Sequence, residues 1–310
     1  EFVHRLREYM FLLGLQLSHS QSSRTCKFAC YTTAAALWKR GWKDDDSNNH
    51  SPAPSGPEQE LISRLYNHGA YPKIAKSDLF SFIESLFQQN FQEAALFLDC
   101  LVSEFGSRSS VSYRLPLEFH KQVHRSFEIQ GALNESLRLS MAALSQSINN
   151  PTASEQLDAV LKLNITVLGW EFGTSAWNES VSVTTTHTLV HPTKEWSDYL
   201  ARTDLIQALF DLHDKVNGGG EVAHSLRQLL LMLASLSGPV FTTPDERKQY
   251  ASCLCPGTLK LLRDATNPIR EDSPDVLAAF QLFARLISNF RLSVLIEFPA
   301  FTPMLQLLTA

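Results

Sequence analysis

Residues 226–236 (LRQLLLMLASL) carry Leu226, Leu229, Leu230, Leu231, Met232, Leu233, Ala234 and Leu236, so apolar side chains stand at almost every angle of a 3.6-residue wheel. Such a helix is stable in water only where neighbours cover most of its circumference, and one antiparallel partner cannot do that. The partner itself is legible. Residues 203–216 put Leu205, Ile206, Leu209, Phe210, Leu212 and Val216 on one side and leave Asp211, Asp214 and Lys215 for water. Gly218, Gly219 and Gly220 make the connection, because glycine takes left-handed or extended dihedrals without steric cost. The hairpin within 193–241 is therefore one layer of a stacked helical array, and the rest of the chain has to supply the others.

It contains the necessary patterns. Val3, Leu6, Tyr9, Met10, Leu13 and Leu17 recur at helical spacing, and an alanine-rich helix over 24–40 ends at Gly41. A hairpin over 77–105 places Leu79, Phe80, Ile83 and Leu86 in one stripe and Phe91, Ala94, Ala95, Phe97 and Leu98 in another, with Ser77 as the expected N-cap. A helix from about 117 breaks near Gly131 and resumes through Leu133, Leu137 and Met141; its partner over 155–170 is again apolar nearly all round. Helices over 244–262, 274–290 and 301–308 follow. Inner helices are expected to begin near 24, 91, 154, 222 and 275. These intervals of about 50–70 residues exceed the ~40–47 of a HEAT-type repeat, and connectors account for the excess.

Two segments interrupt the pattern. Residues 44–57 (DDDSNNHSPAPSGP) lack the apolar surface needed to offset ordering, so 44–75 is expected to be an inserted polar loop with a short helix at 58–67. Residues 173–192 include SVSVTTTHTLV, but a single strand would have no partner, so an irregular connector is expected there. The fold class is all-α: a HEAT-repeat (ARM-like) α-solenoid of stacked antiparallel helical hairpins over 1–310. The chain begins at Glu1 without a methionine and ends within a leucine-rich run, and is expected to belong to a longer protein.

A formal charge of −5 lacks the basic footprint of wholesale phosphate binding, so no direct nucleic-acid partner is expected. The longest uncharged run, 228–244, is shorter than the ~20 residues of a spanning helix and contains Gly238-Pro239, so no membrane insertion is expected. Five cysteines, an odd number set in helical patterns, suit a reduced protein better than a disulfide framework. Sequons at Asn134, Asn164 and Asn178 do not change this, since Asn164 lies in an apolar helical run where a glycan has no room.

No motif carries chemistry. His120 and His124 have the i, i+4 spacing of a zinc-protease helix, but Lys121 stands where the general-base carboxylate belongs. They are read as surface residues, as are His187 and His191. Cys26/Cys30 and Cys253/Cys255 are not paired CxxC knuckles and are read as buried helical cysteines. Gly218–Gly220 has no following Gly-Lys-Ser/Thr and is a turn. Lys39-Arg40-Gly41-Trp42-Lys43 is a basic patch that Asp44–Asp46 neutralise, and as a helix C-terminus its cations complement the dipole. Neither an enzyme nor a cofactor is expected.

A resemblance adds to this. Leu233-Ala-Ser-Leu-Ser-Gly-Pro-Val-Phe241, preceded by Pro192-Thr-Lys-Glu-Trp196, is similar to the exportin-4/exportin-7 group of the importin-β (karyopherin) superfamily. So, in the same order, are Lys39-Arg-Gly-Trp42, Ser103-Glu-Phe105, Leu117-Glu-Phe-His120, Phe127-Glu128 and Leu168-Gly-Trp-Glu-Phe172. The similarity covers about Leu6 to Phe241 and fades beyond Pro244. It implies a HEAT solenoid that binds Ran in its GTP form together with protein cargo, passes nuclear pore proteins, and shuttles between nucleus and cytoplasm. Cargo implied by the resemblance includes the hypusine-bearing translation initiation factor 5A and Smad-type proteins. No short Ran-binding motif transfers, so Ran- and cargo-contact residues stay unknown. The alternative is a helical-repeat scaffold that holds proteins without nucleotide control.

Overall fold

The computed structural model describes residues 6, 9–11, 13–14, 21–42, 76–106, 117–149, 154–172, 190, 192–216, 220–266 and 274–309. The protein is all-helical there, and the chain divides into two compact units. The first comprises residues 1–139 and 170–180, the second 140–169 and 181–310.

In the first unit, α1 (Gln21–Gly41) and α2 (Lys76–Gln89) both pack on α3 (Phe91–Gly106), and α4 (Leu117–Ile129) packs on α3 as well. Aromatic residues fill the junctions. Phe11, Tyr31, Trp38 and Phe82 surround Phe97, with ring centroids 4.8–6.3 Å from it. Nearer the other end, Trp42, Phe105 and Phe127 meet at 4.6–5.4 Å. Gly131, at φ 73°, separates α4 from α5 (Ala132–Asn149), which is the break its sequence position predicts.

In the second unit, three helices lie in a row. The central one is α9 (Gly220–Ala234), packed against α6 (Ser154–Leu168) on one side and α11 (Pro274–Asn289) on another. Behind them run α8 (Thr203–Val216), which touches α9 and α10, and α10 (Pro244–Thr266), which touches α11. The short α7 (Ser197–Leu200), α12 (Leu292–Leu295) and the closing α13 (Phe301–Thr309) complete the unit, with α12 and α13 against α10. The cover that 226–236 demanded is thus present: Leu226, Leu229, Leu230, Leu233 and Ala234 are all buried. After Gly220, only Glu221, His224 and Gln228 of α9 are exposed. On α8 the buried and exposed sides divide as the pattern requires, Asp211, Asp214 and Lys215 remaining outside.

One close approach depends on a glycine. Residue 257 follows Pro256 inside α10, and a Cβ there would stand 2.4 Å from the Phe210 ring, so only Gly257 allows α8 and α10 to close on each other. The turn after α9 is equally determined. Val190 donates its N–H to the Ser235 carbonyl at 3.1 Å and accepts from Ser237 N–H at 3.0 Å, an isolated parallel bridge with Leu236. Gly238, at φ 82°, opens the 3-10 turn Gly238–Val240. Val190 therefore has a backbone partner at the end of the segment expected to be an unpaired connector.

Two further expectations need adjustment or lie elsewhere. The helix expected to be capped by Ser77 starts at Lys76, so Ser77 is inside α2 and is no N-cap. The short helix at 58–67, the rest of the 44–75 insertion and residues 173–189 lie outside the described residues.

Candidate functional site

The first unit buries two charged clusters. On α1, Lys27 donates from Nζ to Glu93 Oε1 at 2.5 Å, and the Tyr31 hydroxyl donates to Glu93 Oε2 at 2.5 Å. All three are buried, so both carboxylate oxygens of Glu93 exchange water for a cationic and a phenolic donor. Burial and the neighbouring carboxylate hold the Tyr31 phenol well above its ordinary range. One helical turn after another leads to the second cluster. Lys39, 1% exposed, donates to the Glu104 carbonyl at 2.7 Å and lies 3.9 Å from its carboxylate. Burial lowers the Lys39 amine to about 8, with Glu104 opposing the shift.

His120 and His124 belong beside this cluster, which corrects their reading as surface residues: they are 2% and 3% exposed. The His124 ring stacks on Trp170 at 4.3 Å between centroids and 15° between planes. Burial first, and the Lys39 charge second, lower His124 to about 4, so the ring is neutral at physiological pH. Helix position alone could not reveal this, because the covering indole arrives 46 residues later in the chain. Trp42 of the supposed basic patch is also core, 2% exposed, its Nε1–H donating to Ser126 Oγ at 3.1 Å. Lys39 and Trp42, two members of that patch, are thus enclosed rather than presented to solvent.

The remaining motifs fall as follows. All five cysteines are free thiols on helices; Cys30, Cys100 and Cys255 are buried, Cys253 is half-buried, but Cys26 is exposed, contrary to its reading as a buried helical cysteine. Burial pushes the Cys100 and Cys255 thiols up to about 12. Asn164 is fully buried and donates to the Ser140 and Val160 carbonyls at 3.1 and 2.9 Å, which leaves no room for a glycan. Asn178, His187, His191, Lys43, Gly218 and Gly219 lie outside the described residues. Among the described residues no group of three or more His, Cys, Asp or Glu side chains could hold a metal ion, and no helix is long and apolar enough to cross a membrane.

In the second unit, polar side chains tie the helices together. At its N-terminal edge Asp275 Oδ1 accepts from Arg227 Nη1 at 2.6 Å, and His213 Nε2 lies 3.4 Å away, tying α8, α9 and α11 together. At the other end Asn289 donates from Nδ2 to the Ala234 and Leu236 carbonyls at 3.1 and 2.6 Å, capping the last acceptor of α9 and one in the turn beyond it. Arg247 donates to the Asn289 carbonyl at 2.5 Å and lies 5.4 Å over the Phe290 ring, while Tyr250 donates to the Leu233 carbonyl at 3.0 Å. The Leu233–Phe241 stretch is accordingly core and turn, with Leu236 and Val240 fully buried.

Between these ends the row shows a solvent-facing strip. On α6 it carries Glu155 and Lys162, with Asp158 half-buried beside them, and on α9 Glu221, His224 and Gln228. Lys162 Nζ sits 2.7 Å from Asp158 and 3.4 Å from Glu221, so the two strips share one face. Partly exposed pairs of this kind add little stability. No model of a known protein family matches the chain.

Proposed function

We propose that the protein is a nuclear transport receptor of the exportin-4 type, its helices stacked as HEAT-type hairpins that carry protein cargo out of the nucleus in a Ran-GTP-dependent way. The observation that carries this reading is the side-by-side packing of α6, α9 and α11, with α8 and α10 behind α9 and α11. Stacked hairpins of this kind expose a long inner surface to protein partners while leaving no enclosed chemistry. The ordered resemblance supports the same reading through residues that set packing: Trp42, Phe105, Phe127, Trp170, Trp196, Leu236 and Val240 are all core. They specify the scaffold, and Ran and cargo contacts belong to exposed positions.

On this reading the partners are Ran-GTP, nuclear pore proteins and cargo of the translation initiation factor 5A or Smad type, with shuttling between nucleus and cytoplasm. Pull-down of the full-length protein with Ran loaded with a non-hydrolysable GTP analogue or with GDP tests it. Preference for the GTP form supports the receptor. Equal or absent binding removes it in favour of a nucleotide-independent scaffold, which would hold its partners irrespective of the Ran nucleotide.

A further inference from the structure

We draw no further inference here: the strongest candidate, the line of exposed apolar side chains Leu277, Phe280 and Ile287 on α11, is an unpartnered face, and nothing in the structure shows what covers it.

Discussion

Replacing Asn289 tests how the end of α9 is held. Asn289 is 8% exposed, and its side-chain amide donates to two carbonyls, that of Ala234, the last residue of α9, and that of Leu236 in the turn beyond it. Asn289→Ala removes both bonds and leaves two buried acceptors facing a void. At about 1 kcal/mol per hydrogen bond, with a further penalty for an acceptor left unsatisfied, local stability is expected to fall by about 2–3 kcal/mol. Asn289→Asp also loses both bonds, because an ionised carboxylate has no proton to donate to either carbonyl, and only the contact that Oδ1 accepts from Arg247 Nη2 at 3.2 Å offsets part of the loss. Peptide-resolved hydrogen exchange is the appropriate assay, since two compact units need not unfold together. Amides of α9 and of residues 235–241 should exchange roughly 30–150 times faster, the factor corresponding to that energy. A change below about twofold, or an aspartate variant as protected as wild type, would show that the two contacts hold nothing and that packing alone fixes the turn.

Three other outcomes follow from the packing and charge described. Gly257→Ala should lower the stability of the second unit by about 1–3 kcal/mol, read as a lower urea midpoint, because Phe210 must move to admit the new methyl. Acid should weaken the first unit between about pH 6.5 and 4: His124 is held neutral in the fold, so the unfolded chain takes up a proton first and stability drains as pH falls through that window. The loss is at most about 3 kcal/mol, and His124→Phe should flatten this part of a stability–pH profile. Glu93→Ala should cost about 3–5 kcal/mol by leaving Lys27 buried without its carboxylate, whereas Glu93→Leu combined with Lys27→Met should recover most of it, measured by chemical denaturation.

Much of the architecture was legible because apolar side chains report burial directly. Helices expected to begin near 24, 91, 154, 222 and 275 begin at Gln21, Phe91, Ser154, Gly220 and Pro274. The all-round apolar character of α9 foretold neighbours on several sides, and Val190, Asn289 and Tyr250 closing over its end are the local form of that requirement. What stayed hidden depended on residues far apart in sequence. Glu93 looks like any acid in the first turn of a helix, and nothing near it announces Lys27 and Tyr31, more than 60 residues earlier. His120 and His124 sit among Lys121 and Arg125, so their neighbourhood in sequence is polar, yet both are buried, and His124 lies against Trp170 and near Lys39. The turns at 194–196 and 238–240 are too short for any periodicity to register. On α11 the opposite failure occurs: Leu277, Phe280 and Ile287 have the composition of a buried stripe, and only the packing reveals that they face solvent.

The affinity of the full-length protein for Ran in its two nucleotide states, measured by calorimetry with and without cargo, addresses the transport reading most directly. A receptor of this type should bind the GTP form at least about tenfold more tightly than the GDP form, and cargo and Ran-GTP should raise each other's affinity by the same factor, as linkage demands. Equal affinity for the two nucleotide states, with cargo bound regardless of Ran, would contradict it and leave a helical scaffold.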